Sequence, residues 1–523
     1  MDIQAKGRTA DLLVGLALLL LLAHAIMAVA IGLDLYADGG WFDFALMVGK
    51  PLKLVWRNYP ARFTPYLFEF LPAYGLHRLH VPLSVALGVA HAVRNLAPAA
   101  SLALCWRILP KDERAMALLP AAYFVLFGLL TWGFPTEVWL LPVFAWPAVL
   151  LFLYGPNSWT NAAWGGAAVI GTLFSHEAAI PLIPLLALAG ALRWRDCPPR
   201  NAIVAILASA GGLIAWVIAK LTVEPDPIIS YSVGYNAYQF FGVGALVGHQ
   251  ALSKYALILL TAALAFLAAG AWRRLTAPAL AVLAAIGLWV VLRDFGVASM
   301  ARYQVRSICL LALMGMIVAL LAARQWPRLA ASVPIPRPLR PFLIATALLM
   351  AGVIVEQDVR FALAWAHFDR VLTAAVNCDD RPAAACRPGG VIDLPAADVT
   401  SPGAWSWGAP FLAIVRSRNL QTSQMVRDHP GAGQPIQRGA RARMVFSACK
   451  AIRGVVGPRL ACRLESFAAL PPAPYFMPLS CADAQALTVD ARRPPAMQAL
   501  TQVVCSTPVW TGDPRTRIPF FLK

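Results

Sequence analysis

Residues 11–33 read DLLVGLALLLLLAHAIMAVAIGL, an apolar run interrupted only by His24 once Asp11 is passed. A bilayer core of about 30 Å is crossed by about 20 mostly apolar helical residues, so this run has the length of a membrane span. No small-residue cleavage site follows it, and it is expected to remain as an anchor rather than leave as a signal peptide. Comparable runs recur near 81–106, 115–131, 138–154, 162–176, 178–192, 202–221, 255–272, 277–292, 307–323 and 341–357. That makes about eleven expected spans. The fifth and sixth are short and adjoin at Ser175-His176-Glu177, which reads as a tight hairpin at one membrane face. Composition agrees: 59% of the 523 residues are hydrophobic and only 13% are charged. Soluble proteins carry about 25% charged residues, and this chain has too few to cover soluble domains. The composition argues against a disordered chain, a disulfide mini-scaffold and a nucleic-acid binder, so the net charge of +18 is read by its location.

Lysine and arginine in short loops set orientation, because such residues stay on the cytoplasmic side. Lys6 and Arg8, Arg107, Lys111 and Arg114, Arg193, Arg195 and Arg200, Arg273 and Arg274, and Arg324, Arg328, Arg337 and Arg340 all fall in compact connections of one parity. This face is expected to be cytoplasmic, with the amino terminus inside and the tail from 358 outside, in the periplasm. Cysteines agree. Cys378, Cys386, Cys449, Cys462, Cys481 and Cys505 all lie in the tail, an even number suited to an oxidising compartment and up to three disulfides. A zinc site is the competing reading, but the short CxxC spacing is missing. The expected organisation is a polytopic α-helical membrane module over 1–357 and a small α+β periplasmic domain over 358–523. No Walker motif, GxSxG or HExxH is found, which argues against an ATP-driven transporter.

The first outer loop, 34–80, is long and rich in aromatics from Trp41 to Tyr74, mixed with Lys50, Lys53, Arg57 and Arg78. That mixture suits helices lying in the interface plane. It opens with Asp34, Asp38 and Asp43. A carboxylate at a membrane–water boundary can act as a general base toward a hydroxyl or ligate a divalent cation; a solvated helix-end carboxylate is the plainer alternative. Arg302 and Arg306 lie four apart, hence on one helical face, where guanidinium groups suit a phosphate or snorkel to lipid headgroups. His176 and Glu177 can hold a metal, orient a sugar hydroxyl or merely close the hairpin. Arg94 falls near the middle of a span, where a charge is costly and generally faces a cavity or partner. The outer segment 222–254 adds Tyr231, Tyr235 and Tyr238, able to stack on sugars or to sit in an interfacial belt.

Several of these stretches together resemble the GT-C glycosyltransferases, multi-spanning enzymes that use polyprenyl-phosphate sugars. Ala37-Asp38-Gly39-Gly40-Trp41-Phe42-Asp43 resembles their acidic opening of the first outer loop, and Tyr59-Pro60-Ala61-Arg62-Phe63-Thr64-Pro65 their Arg-x-x-Pro stretch. His91-Ala92-Val93-Arg94-Asn95 is similar to their second helix, Ser175-His176-Glu177 to their Ser-Lys-Glu-like turn, and Ala301-Arg302-Tyr303-Gln304-Val305-Arg306 to their Arg-Tyr element. Two departures stand out: Gly39 follows Asp38 where a second acid is usual, and Val305-Arg306 replaces the usual proline.

The resemblance implies transfer of a sugar from a polyprenyl-phosphate donor to an envelope glycan, lipid or protein acceptor on the periplasmic face of a bacterial inner membrane, with inversion. It implies Asp38 as base with Asp43 second, and Arg302, Tyr303, Arg306 and Arg62 at the donor phosphate. His176, Glu177 and Arg94 would make other substrate contacts. A divalent metal is an open expectation, with Asp38, His176 and Glu177 as candidate ligands. Competing readings are a lipid-linked glycan polymerase or ligase, a transporter or flippase of a lipid-linked intermediate, and a noncatalytic assembly protein.

Overall fold

The structure is a computed structural model that describes residues 3–36, 39–40, 42–43, 59–128, 137–222, 299–325 and 339–379, with short stretches at 390–394, 412, 415–416, 424–427, 449–454 and 457–462. The chain divides into two compact units. The first comprises Met1–Asp34, Pro60–Lys220 and Val247–Leu363; the second comprises Leu35–Tyr59, Leu221–Leu246 and Ala364–Lys523.

Among the described residues the first unit is helical. Helix α1 (Ile3–Ala30) turns Ala10, Val14, Ala17, Leu21, His24 and Ala28 inward, a 4-3-4-3-4 spacing that forms one stripe. Its larger residues face out, Leu12 being 72% and Ile26 70% exposed, along with Leu16, Leu19 and Val29. A helix apolar on all sides, with its bulk outward, is compatible with a membrane span. It packs mainly on α2 (Leu83–Ile108), and at one end the Trp106 indole donates to Asp11 at 3.0 Å. Helix α3 (Leu140–Tyr154) is buried along nearly its whole length and packs on α2 and on α4 (Trp159–Leu173). Gly165 of α4 lets the Phe152 ring approach; a Cβ there would lie 2.5 Å from the ring edge. Helix α5 (Ile183–Ala191) meets α6 (Arg200–Thr222) at Gly190, where any side chain would press on Ala205 and, at 3.0 Å, on the Asn201 carbonyl. Helices α7 (Ser299–Gln325) and α8 (Leu339–Asn377) follow.

Two described helices are long and apolar enough to cross a membrane, Ala10–Ala30 and Arg200–Leu221. Shorter apolar helices cover Arg114–Leu126, Leu140–Tyr154, Glu177–Ala191 and Ala312–Ala322. The expected spans at 255–272 and 277–292 lie outside the described residues. The stretch expected as one span at 115–131 is broken into a 3-10 turn (Arg114–Ala117), a short helix (Leu118–Tyr123) and a π turn (Phe124–Gly128). The hairpin expected at 175–177 is a turn followed by a 3-10 helix, Glu177–Leu182. Pro181 lies within that helix and Pro184 opens α5, and a proline without an N–H disrupts the regular α ladder. Helix α8 does not stop near 357. Its residues through Leu363 belong to the first unit and the remainder to the second. Glu356 and Arg360 pair one turn apart, so the charges that end the apolar run also support the helix beyond it.

In the second unit, the Tyr36 ring meets Trp365 edge-on at 5.5 Å, and Arg416 grips Asp369 through two bonds of 2.8 and 2.6 Å. The Asn377 amide donates to the Arg416 carbonyl at 2.9 Å. Strands β1 (Gly390–Asp393) and β2 (Gln424–Arg427) pair in parallel, and β3 (Cys449–Gly454) and β4 (Gly457–Cys462) pair antiparallel. Cys378 is disulfide-bonded, whereas Cys105, Cys197 and Cys309 carry free thiols. The hairpin register sets Cys449 opposite Cys462. Directly opposed antiparallel residues have Cα atoms about 4.5–5.5 Å apart, a separation that a disulfide bridges.

Candidate functional site

Several ionic groups collect within the first unit, three of them around Glu177, Asp34 and Asp358. The most open is built around Glu177. Helix α4 ends at Leu173, and the chain turns through Ser175, whose hydroxyl donates to the Gly171 carbonyl at 2.6 Å. His176 caps the next turn: its Nδ1 accepts the Ala178 N–H at 3.0 Å, so the neutral ring carries its proton on Nε2. Glu177 then meets two cations from distant segments. Arg62 donates from Nε and Nη2 to Oε2 at 3.1 and 2.7 Å. Lys220, near the end of α6, donates to Oε1 at 2.6 Å.

The segment carrying Arg62 is fixed against the same corner. The Thr64 N–H donates to the Phe174 carbonyl at 3.2 Å and its hydroxyl to the Gly171 carbonyl at 2.9 Å. The Trp216 indole holds the Ala61 carbonyl at 3.1 Å. Burial alone would raise the Glu177 carboxyl. Arg62 and Lys220 outweigh it and hold the group well below the usual carboxylate range. The side chains keep partial access to solvent, 20% for Glu177 and 31% for Lys220.

The second cluster is sealed. The Asp34 side chain is 2% exposed and Arg94 6%. Arg94 donates from Nε to Asp34 Oδ1 at 3.2 Å, with Nη2 closing on the same oxygen and reaching the Asp34 carbonyl at 3.3 Å. The Asn95 amide spans both carboxylate oxygens at 2.8 Å each, and His91 Nδ1 lies 3.9 Å from Oδ2. Burial pushes this carboxyl up, but Arg94 and His91, with the hydrogen bonds from Arg94 and Asn95, bring it below its ordinary value. The charge in the middle of α2 therefore has its partner in Asp34, four residues past the end of α1.

The third is a pair, His24 Nδ1 to Asp358 Oδ2 at 2.6 Å, with the side chains 5% and 4% exposed. His24 Nε2 and Asp358 Oδ1 are buried without hydrogen-bond partners among the described residues.

Of the residues singled out by sequence, Arg62, His176 and Glu177 come together, while Arg94 belongs to the separate Asp34 cluster. Asp43 is buried in the second unit, and Asp38 lies outside the described residues. Arg302, Tyr303 and Arg306 fall in the first two turns of α7, with their side chains outside the described residues. Lys220, His24 and Asp358 were not anticipated. Lys220 is a lone cation near the outer end of an expected span, and His24 a lone imidazole within an apolar run. Both signals are visible in sequence, but neither reveals a partner.

Among the described residues no three His, Cys, Asp or Glu side chains gather as metal ligands. At Glu177 both carboxylate oxygens face cations, a donor set suited to exchange with an anion rather than to a dication. No family model, curated protein or solved structure matches this chain.

Proposed function

We propose that this chain is a multi-spanning membrane glycosyltransferase of GT-C type, moving a sugar from a polyprenyl-phosphate donor to an envelope acceptor on the outer face. The observation that carries the reading is the convergence of Arg62 and Lys220 on Glu177. Two fixed cations facing one carboxylate form a ready receptor for a phosphodiester, which would displace that carboxylate.

In the proposed reaction the acceptor hydroxyl attacks the anomeric carbon and the bond from that carbon to the phosphate oxygen breaks. Asp38 takes the hydroxyl proton, and the polyprenyl phosphate leaves as an anion held by Arg62 and Lys220. Arg302, Tyr303 and Arg306 would extend the donor site, with Asp43 as alternative base. His176 and the displaced Glu177 would meet the sugar, while Arg94 is better explained as the partner of Asp34. Inversion is what the resemblance implies.

The eleven-span arrangement belongs to this proposal, as do the cytoplasmic amino terminus and periplasmic tail. Two observations support it. The outward leucines of α1 suit acyl chains. The loops expected on one face also meet: Arg324 lies 3.6 Å from Glu113, and Arg193 donates to the Gly155 carbonyl at 2.6 Å.

The test is turnover by purified protein offered labelled polyprenyl-phosphate sugars and envelope acceptors. Arg62→Ala or Lys220→Ala is expected to lower transfer on the order of 10²-fold, as for loss of one charge-stabilising donor. Asp38→Asn is expected to abolish it. Undiminished transfer by Asp38→Asn would remove that residue from the base role, and no transfer with any polyprenyl donor would sink the reading. A proton-coupled flippase is the second reading, favoured by the His24–Asp358 pair, since intramembrane ionisable residues mark ion pathways. It predicts proton-driven movement of a lipid-linked sugar without transfer.

A further inference from the structure

At the end of the helices opposite Glu177, four chain segments enclose a cavity of about 640 Å³. Its walls are the connection after α2 with Asp112 and Glu113, the end of α3 with Tyr154, the end of α5 with Arg193, and the end of α7 with Arg324. Arg193 is spent on structure. It donates to Asp196 Oδ2 and to the Gly155 carbonyl, each at 2.6 Å, and so braces two walls. Arg324 is not spent in this way. Its side chain is 48% exposed, its nearest carboxylate is Glu113 at 3.6 Å, and its guanidinium lies 5.3 Å from the centre of the Tyr154 ring. A charge-assisted bond closes to about 2.7–2.9 Å, so donors of Arg324 remain available to a ligand. Asp112 is exposed at the same cavity and makes no ion pair or hydrogen bond among the described residues. The cavity therefore offers an under-used cation and an under-used carboxylate.

Two exposed indoles mark the level of this cavity. Trp194 follows Arg193 directly, and Trp159 lies three residues beyond Pro156. Both are 58% exposed, as tryptophans are at a membrane–water boundary.

We infer that this cavity is a binding site for a phosphoethanolamine headgroup, with its phosphate on Arg324 and its ammonium on Asp112 and Glu113. A purely anionic headgroup would satisfy Arg324 but meet two carboxylates. A choline headgroup carries no N–H to donate to them. The primary ammonium satisfies both sides. The inference rests on the membrane reading proposed above, but not on the transferase chemistry, because the site is at the other end of the helices.

The full-length protein is reconstituted into nanodiscs of phosphatidylcholine containing phosphatidylethanolamine or phosphatidylglycerol, and the retained lipids are counted by native mass spectrometry. Phosphatidylethanolamine is expected to be retained about ten-fold over the other two, a difference readily resolved. Arg324→Ala and Asp112→Asn are each expected to abolish that preference without changing incorporation, and Arg324→Lys to keep part of it. Equal retention of all three lipids, or preference for phosphatidylglycerol, overturns the site. Failure to enter nanodiscs at all strikes the membrane reading instead. Soluble glycerophosphoethanolamine competing at the same concentration would overturn a membrane source for the headgroup, whereas its failure to compete supports one.

Discussion

Asp34 and Glu177 are both carboxylates held by an arginine near helix ends of the first unit, yet they are built for different work. Asp34 receives Arg94 and Asn95 at both oxygens and is 2% exposed. Glu177 receives Arg62 and Lys220 at 20% exposure, beside an imidazole whose Nδ1 accepts the Ala178 N–H. A buried pair contributes chiefly through what its loss would leave unpaired. An accessible pair contributes little to stability and can exchange partners. On this comparison Asp34–Arg94 is scaffold and Glu177–Arg62–Lys220 is a place where a ligand can enter.

The largest effect expected from this contrast is at Arg94. Arg94→Leu leaves the Asp34 carboxylate buried without its guanidinium, which costs about 3–5 kcal/mol. Chemical unfolding in mild detergent reads the loss, and an unchanged midpoint would contradict the scaffold assignment. The pH dependence gives a second, signed readout. Folding lowers the Asp34 pKa from its ordinary 3.8, so its contribution is full above that value and is lost as pH falls through the lowered folded one. Wild-type stability is therefore expected to decline below about pH 4 through this group. In Arg94→Leu the slope reverses, because a buried carboxyl with its guanidinium removed is relieved by protonation. A variant that keeps the wild-type slope breaks the comparison.

The His24–Asp358 pair gives an intermediate effect. His24→Leu strands Asp358 in an apolar seam at a cost of about 1–3 kcal/mol. The double leucine variant is expected to recover that loss, since buried pairs are often replaced by packed hydrophobes without penalty. If the double variant stays as unstable as the single one, the pair is more than a solitary polar contact. Two atoms of the pair lack partners among the described residues, and the transport reading would then gain weight.

Individual residues were easier to read than their partners. The apolar run of α1 announces the helix, and Glu177, His176, Arg62 and Arg94 each stand out by type and place. Their pairings do not. Glu177 and Arg62 are 115 residues apart, and Arg94 and Asp34 are 60 apart, while the local pattern of each segment says nothing of which segments pack together. Lys220 reads locally as a lysine snorkelling from a span end, and only the approach of α6 to the 175–177 turn gives it a role. The extent of α8 was hidden for another reason. Hydropathy stops where Glu356, Asp358 and Arg360 begin, but helix formation depends on backbone bonds and one-turn pairs and continues to Asn377. The 3-10 helix at Glu177–Leu182 was hidden because Pro181 and Pro184, rather than apolarity, interrupt the α ladder there.

The smallest stability effect is expected at the site of greatest functional interest. Glu177→Gln keeps the shape and hydrogen-bonding oxygen of the side chain while removing its charge. Because Glu177 is 20% exposed where Asp34 is 2%, and the variant amide still accepts a hydrogen bond, the loss of folding stability is expected to be smaller than at Arg94. Such a loss also disappears at acid pH: the folded-state pKa lies below the ordinary 4.5, so the pairing is lost in wild type too as pH falls below it. Anion binding moves the other way. With Glu177 neutral, Arg62 and Lys220 present two uncompensated positive charges, and an entering sulfate or phosphodiester no longer displaces a carboxylate. Its affinity is expected to rise about ten-fold, readable by calorimetry with sulfate at pH 8, and to fall below wild type once Arg62→Ala is added. A variant that loses stability heavily, or binds anions no better, would place Glu177 with Asp34 as scaffold, and the distinction between the two carboxylates would collapse.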